Sequence, residues 1–218
     1  MNKAQLAGVI DVSLLHTDST LEKTLKMAEL AKAHHLHGVD GVAVFYPMLL
    51  EALQGSGVVM GSACGFIMIT SQLKAVFARR NIEMGCDECE MTINMPALKS
   101  GLYEDVVKEI RMIKDAVGDH LLKCIIETPL LSDEEICKAC ELAVEGGADF
   151  VKTAGGHEGE TTLHHVQVAA KALDGRAGLI AAGGIKDLNT ALSMLEAGAV
   201  RLGIEYDAVL DLLNEVEK

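Results

Sequence analysis

The chain has no tryptophan and only three prolines in 218 residues, and aromatic side chains make up 3% of it. No glycine- and serine-rich linker or low-complexity stretch interrupts it, so nothing marks a domain boundary. Because half of the residues are hydrophobic, a chain of this length can bury one sizeable core. We therefore expect a single domain that spans residues 1–218.

Positive charge is scarce. Nineteen lysines and arginines stand against 32 acidic residues, which gives a net charge of −13, and the basic residues form no cluster. Non-specific binding to nucleic acid or to an anionic membrane needs Lys and Arg to neutralise phosphates, so we expect neither partner. An anionic substrate would need cations gathered at one site.

We expect neither a leader segment nor a disulfide framework. Residues 1–5 are polar and lead into a short apolar stretch, which fits neither a signal peptide nor a spanning helix. The six cysteines lack the spacing of a small secreted protein. We expect reduced thiols in a cytoplasmic protein.

Two Cys-x-x-Cys pairs resemble a four-thiolate zinc site: Cys86 with Cys89, and Cys137 with Cys140. However, Ser132 and Glu135 form a capping box that places the second pair on a helix of its own. We therefore expect thiols in the core and no metal. The histidines at 34, 35 and 37 follow a predicted helix, where capping of its last carbonyls is the favoured interpretation.

Short apolar or β-branched runs alternate with longer amphipathic runs at similar spacing, which is typical of βα units. Eight strands are predicted, at Val9–Leu14, Gly41–Phe45, Val58–Cys64, Glu88–Ile93, Leu121–Glu127, Phe150–Thr153, Gly178–Ala182 and Arg201–Ile204. Helices between them start at capping residues such as Ser132 and Asp187, and several stop at glycines such as Gly85 and Gly146. Eight such units in this length favour an α/β fold, the (β/α)8 TIM barrel.

The alternative is an open doubly wound sheet, but no Gly-x-Gly-x-x-Gly follows the first strand. A barrel places its chemistry at the carboxyl ends of its strands. Lys152 lies at such an end, just before Gly155 and Gly156. An apolar interior would lower its pKa from about 10.4 toward neutrality and make the amine a Schiff-base nucleophile. The other interpretation is a rim lysine held by a carboxylate.

Polar residues within predicted strands are the next signal, because a parallel strand covered on both faces normally has none. Glu88 and Glu90 share one face of the fourth strand, and Lys123 lies in the fifth. If Glu90, Lys123 and Lys152 all point inward, their burial costs several kcal/mol per ion unless they pair. They would form either a structural ion network or an active site.

Several short segments occur here in one order: Ile10-Asp11 with Leu14-Leu15, Tyr46-Pro47, Gly65-Phe66, Gly85 to Glu90 with Asn94, Ala97 to Gly101, Lys123 to Thr128, Gly147 to Thr153, Ala182 to Ile185 and Ala197 to Gly203. Together they are specific, and from Ile10 to Leu210 the chain resembles the deoxyribose-phosphate aldolase family. The resemblance implies a (β/α)8 barrel and a cofactor-free class I aldolase. Such an enzyme cleaves 2-deoxyribose 5-phosphate to acetaldehyde and glyceraldehyde 3-phosphate.

The resemblance also implies roles for individual residues. Lys152 matches the Schiff-base lysine, Asp11 an aspartate that contacts substrate hydroxyls, and Lys123 a lysine of the site. Glu90 replaces the acid/base aspartate and reaches about one methylene further. Residues implied in binding substrate or its phosphate are Thr128, Gly155, Gly156, Gly183, Gly184, Lys186 and Gly203.

Three departures from the family stand beside these matches. Ile180 replaces a second lysine that lowers the amine's pKa, so burial and Lys123 must lower it here, or it is not lowered. Whether a lysine from elsewhere, for instance Lys74 or Lys186, compensates for Ile180 stays open. Val44 replaces a cysteine. Glu205 replaces a serine of the phosphate turn and would repel a phosphate dianion if it points inward.

These departures leave other functions open. The substrate could be an aldol without phosphate, or the barrel could bind a sugar phosphate without catalysis. A lyase or isomerase with Glu90 as base and Lys152 as electrostatic stabiliser is a third alternative. In each case the partner is a small molecule, either an aldehyde or a sugar phosphate, and assembly into a homo-oligomer stays open.

Overall fold

The computed structural model describes residues 1–65 and 69–216. Eight parallel strands follow one another in chain order and close into a barrel, with β8 paired to β1. The strands are β1 Ile10–Leu14, β2 Gly38–Gly41, β3 Val59–Ala63, β4 Glu88–Thr92, β5 Leu121–Ile125, β6 Phe150–Lys152, β7 Gly178–Ala182 and β8 Arg201–Glu205. The predicted (β/α)8 fold is confirmed. Phe66, which belongs to the segment Gly65-Phe66 that resembles the aldolase family, lies outside the described residues.

Helices connect the strands: α1 Lys3–Ala7, α2 Leu21–His34, α3 Tyr46–Leu53, α4 Ser71–Met84, α5 Met95–Lys99, α6 Tyr103–Val117, α7 Asp133–Gly146, α8 Leu163–Leu173, α9 Leu188–Glu196 and α10 Tyr206–Glu215. The predicted capping box is present, since Ser132 and Glu135 each accept the other's backbone N–H. Asp187 likewise caps α9. Helix α7 ends at Gly146, and its C-cap is Gly147, whose φ of 90° suits glycine.

The predicted second strand, Gly41–Phe45, is wrong. Strand β2 lies earlier, and residues Ala43–Phe45 form a 3₁₀ segment that leads into α3, where Pro47 occupies the first turn. The apolar run at 41–45 resembles a strand more than β2 itself does, because β2 contains two glycines and an aspartate, which all have low strand propensity. The predicted fifth strand is too long, because Glu127 adopts a left-handed φ of 55°.

Apolar side chains fill the layer between the strands and the helices, and thiols belong to it. The six cysteines are free, and all except Cys137 are buried, as expected. Within residues 1–65 and 69–216, no three His, Cys, Asp or Glu side chains are grouped as a metal site. No helix of that part of the chain is long and apolar enough to cross a membrane.

Candidate active site

The interior of the barrel is charged. Seven buried ionisable residues from six strands face it: Asp11, Asp40, Glu88, Glu90, Lys123, Lys152 and Arg201. Glycines on neighbouring strands provide the room, since a Cβ at Gly61 would lie 1.8 Å from Oδ1 of Asp40. The sequence predicted three members of this set to meet, and the structure brings Glu90, Lys123 and Lys152 together.

Lys152 ends β6 and is 4% exposed. Its Nζ donates a 2.8 Å hydrogen bond to Oε2 of Glu90 and lies 3.8 Å from Oδ2 of Asp40. Burial lowers the pKa of Lys152, but the charges of Glu90 and Asp40 outweigh burial and the opposing charge of Lys123, so this pKa is raised. The expected fall in pKa is wrong, because the barrel interior is not apolar.

Lys123 connects the carboxylates. Its Nζ lies 3.3 Å from Glu88, 3.4 Å from Asp40 and 3.9 Å from Glu90. Burial lowers the pKa of Lys123, but four surrounding carboxylates, Asp40 first among them, raise it well above its ordinary value. Lys123 is therefore a permanent cation that holds these acids together.

Asp11 is bound within the network. Arg201 donates to its Oδ2 from Nε at 3.1 Å and from an Nη at 2.6 Å, and Nδ1 of His37 lies 2.9 Å from Oδ1. Burial raises the pKa of Asp11, but Lys123, the hydrogen bond to His37 and Arg201 together hold it well below its usual range. His37 therefore contacts Asp11 instead of capping a helix, whereas His35 occupies the C-cap of α2.

A cavity of about 280 Å³ opens at the carboxyl ends of the strands, and Lys152 lines it. Six predicted binding residues line it as well: Gly155, Gly156, Gly183, Gly184, Lys186 and Gly203. Thr128 does not. It is fully buried, its backbone N–H donates to Thr153 at 2.7 Å, and its hydroxyl has no hydrogen-bond partner among the described residues.

Two basic side chains at the cavity mouth, Lys186 and His16, are paired with acids. Lys186 donates to Glu160 at 2.7 Å, and His16 forms a short contact with Glu205. Glu205 lines the cavity and is the residue that precedes α10. Because the positive end of a helix dipole favours an anion, this carboxylate competes with any anionic substrate group there.

No described lysine replaces the one absent at Ile180. Ile180 is fully buried on β7, in register with Lys152. Lys74 is buried elsewhere, where it donates to Glu109 at 2.6 Å and to the carbonyl of Thr92 at 2.8 Å. Lys186 is exposed at the mouth. Among the described lysines, Lys123 is therefore the cationic neighbour of Lys152.

Sequence reasoning missed Asp40, Arg201, His37 and the structural role of Glu127. The carboxylate of Glu127 accepts the N–H of Gly155 at 3.0 Å and fixes the turn after β6. Arg201 is the first residue of a predicted strand. The rule that parallel strands normally contain no charged residues, which identified Glu90, therefore applies to Arg201 as well. Asp40 could not be found this way, because the second strand was placed too late.

The fold is a (β/α)8 barrel, and its site has a buried lysine beside a carboxylate below a cavity. This combination is typical of a (β/α)8-barrel enzyme. A model of the DeoC/LacD family aldolases matches residues 7–205, and the chain belongs to that family.

The deoxyribose-phosphate aldolase of Deinococcus radiodurans is 41% identical over 201 residues, 91% of each chain, and that of Brevibacillus brevis is 40% identical over 197 residues, 89% of each chain. A solved aldolase called QR15 is 30% identical with a TM-score of 0.90, covering 96% of this chain and 95% of its own. The resemblance predicted from the sequence is confirmed, and the chain is an aldolase, a lyase.

Proposed function

We propose that the chain is a class I aldolase that forms a Schiff base through Lys152. Its proposed reaction is the reversible cleavage of 2-deoxyribose 5-phosphate, or of a related aldol, to acetaldehyde and glyceraldehyde 3-phosphate. The observation that supports it best is the placement of Lys152, which lines the cavity and is hydrogen-bonded to Glu90. The names of the relatives in Deinococcus and Brevibacillus supply the substrate.

The reaction begins when the amine of Lys152 adds to the substrate carbonyl. Loss of water gives an iminium, which accepts the electron pair released when the carbon–carbon bond breaks. Glu90 is the proposed acid/base group for the protons at the substrate oxygen and carbon. Lys123 positions Glu90, and Asp11, held by Arg201, is the proposed partner of a substrate hydroxyl.

Lys152 must lose a proton before it attacks, because its carboxylate neighbours favour the ammonium form. An acceptor needs to be within hydrogen-bond reach of the nitrogen. Glu90 meets this requirement at 2.8 Å. Local carboxylates therefore take the part that the resemblance assigned to a second lysine.

We propose that two glycine turns, at residues 155–156 and 183–184, bind the end of the substrate that is remote from the reacting carbonyl. Their backbone N–H groups are the proposed donors, and Lys186 is a further proposed contact. Glu205 and Glu160 at the same mouth favour a second candidate, an aldol without phosphate. Two like charges near a dianion weaken its binding, whereas a hydroxyl group can donate to either carboxylate.

Location and assembly complete the proposal. We place the protein in the cytoplasm, which six free thiols support. We also propose a homo-oligomer, because three apolar side chains of α4, Leu73, Val76 and Phe77, are each about half exposed. Sedimentation velocity checks the assembly, and a purely monomeric species would contradict it.

The test is borohydride trapping with acetaldehyde and, separately, with 2-deoxyribose 5-phosphate, followed by intact-mass analysis and peptide mapping. A reduced adduct on Lys152 from both compounds supports the proposal. An adduct from acetaldehyde alone favours the aldol without phosphate. No adduct in the wild type, or retro-aldol turnover that survives Lys152→Arg, would contradict Schiff-base chemistry.

A further inference from the structure

Asp40 is the interior carboxylate that the mechanism above leaves without a task. It lies on β2, is 3% exposed, and its Oδ1 is 3.4 Å from Nζ of Lys123. Its Oδ2 is buried and has no hydrogen-bond partner within the described part of the chain, although Nζ of Lys152 is 3.8 Å away. A buried polar atom without a partner is destabilising, so its presence here calls for an explanation.

The space around Asp40 is kept free by its neighbours. Gly61 pairs with Asp40 on the adjacent strand, and any Cβ there would overlap Oδ1. On the other side of Lys152, Ile180 offers no proton acceptor. Among the described residues, the carboxylates within 4 Å of Nζ of Lys152 are therefore those of Glu90 and Asp40.

The surrounding charges favour a proton on one of these acids. Four interior carboxyl groups, those of Asp11, Asp40, Glu88 and Glu90, face the three basic side chains of Lys123, Lys152 and Arg201. His37 contacts Asp11, and Tyr46 lies nearby on α3. Burial, with the charges of Glu90 and Asp11, raises the pKa of Asp40 to about 6 against the pull of Lys123 and Lys152. A carboxyl group with a pKa close to neutrality can both take up and return a proton.

We infer that Asp40 is a second acid/base carboxyl group of the site, which exchanges protons with the nitrogen of Lys152 through Oδ2. Glu90 then serves the oxygen and carbon of the substrate. This inference rests on the proposed function, because it assigns a step within Schiff-base formation.

The step balances in protons and electrons. The nitrogen lone pair of Lys152 forms the N–C bond, and the carbonyl π pair moves to oxygen, which Glu90 protonates. The nitrogen now carries a positive charge and a removable proton, and Asp40 takes that proton to become a neutral carboxylic acid. The proton held by Asp40 then passes through Glu90 to the hydroxyl group, which leaves as water as the freed lone pair forms the C=N⁺ bond, and both carboxyl groups end as carboxylates. Hydrolysis of the imine reverses each transfer.

The test compares the wild type with Asp40→Asn, which keeps the side-chain volume but cannot accept the proton. The rate of imine formation with acetaldehyde is measured by rapid-quench cyanoborohydride trapping between pH 5 and 8. In the wild type we expect the rate to rise with pH through about 6. In Asp40→Asn we expect a rate at least tenfold lower at pH 7 and no inflection near pH 6. Asp115→Asn, an exposed change of the same chemistry, serves as the control and keeps the wild-type profile.

A second readout separates this role from a structural one. Deuterium uptake into the methyl group of trapped acetaldehyde reports the enamine step, and uptake per adduct stays unchanged in Asp40→Asn. If Asp40→Asn does not fold, carboxyl ¹³C NMR of the aspartate-labelled wild type decides, and the absence of a resonance that titrates near pH 6 overturns the inference.

The outcomes distinguish the two proposals. A wild type that is never trapped on Lys152 rejects the proposed function itself. A wild type that is trapped, with an unchanged rate and pH profile in Asp40→Asn, rejects the role of Asp40 alone.

Discussion

Nζ of Lys152 donates a 2.8 Å hydrogen bond to Oε2 of Glu90, a residue 62 positions earlier in the chain and two strands away in the barrel. Both side chains are buried, so neither charge is solvated by bulk water. Such a pair is stable because each partner compensates the other's lost hydration. The same contact therefore supports the fold and places a proton acceptor beside the amine.

Replacing Lys152 should separate its chemical role from its structural one. Lys152→Ala leaves Glu90 buried without its donor, and breaking a buried ion pair costs about 3–5 kcal/mol. Lys152→Arg retains the charge, so we expect it to lose much less free energy of unfolding. Both variants should lose at least about a thousandfold in turnover, because neither can form the imine. Urea unfolding and retro-aldol assays measure the two effects, and equal stability losses would argue against the ion pair as the cause.

Gly61 tests how closely the interior is packed. In Gly61→Ala the new methyl group would overlap Oδ1 of Asp40 and lie 3.2 Å from Nζ of Lys123. We expect a loss of about 1–3 kcal/mol in the free energy of unfolding, which is typical of an overpacked core. Gly8→Ala is the matched control, since a Cβ there meets its nearest neighbour at 3.4 Å and φ is −67°. If the two variants are equally stable, the side chain of Asp40 can move aside.

Much of this site could be predicted because the barrel repeats a simple pattern. A charged residue inside a parallel strand has to face the interior, which is how Glu90, Lys123 and Lys152 were found together. The glycine turns after β6 and β7 follow from chain order, since the carboxyl ends of all strands meet at one rim.

What could not be predicted depends on contacts between distant segments. The sequence predicts a fall in the pKa of Lys152 because it does not show that carboxylates from β2 and β4 approach the amine. Asp40 lies before the predicted second strand and is therefore not identified as an interior residue. Thr128 lies next to β5, but whether its side chain reaches the cavity depends on the backbone at Glu127. The left-handed conformation there has no signal in a residue that is not glycine.

Asp11 should make stability depend on acid pH. Its pKa is lowered in the folded state, so the folded protein binds this proton less readily than the unfolded chain does. The resulting stabilisation is present above the unfolded pKa of about 3.9 and is lost as the pH falls below it. We expect Asp11→Asn to be less stable at pH 6 and to show a shallower loss of unfolding free energy between pH 5 and 3. Asp115→Asn, the same change at an exposed site, should keep the wild-type slope in urea unfolding, and an unchanged slope in Asp11→Asn would contradict the prediction.

We expect Glu205 to determine whether the cavity accepts a substrate that carries a phosphate group. It lines the mouth beside His16, is about half exposed, and precedes α10, where an anionic substrate group would be favoured. Glu205→Ser removes this charge, so we expect kcat/KM for a phosphorylated aldol to rise about three- to tenfold, with little change for the substrate without phosphate. Because the site is partly solvated, the gain should shrink as salt is raised from 0.05 to 0.5 M. Glu196→Ser is the control, since this residue is exposed at the end of α9 and does not line the cavity. A fall in kcat/KM for the phosphorylated substrate would mean that Glu205 assists binding, for instance by positioning His16, and the like-charge argument would then fail.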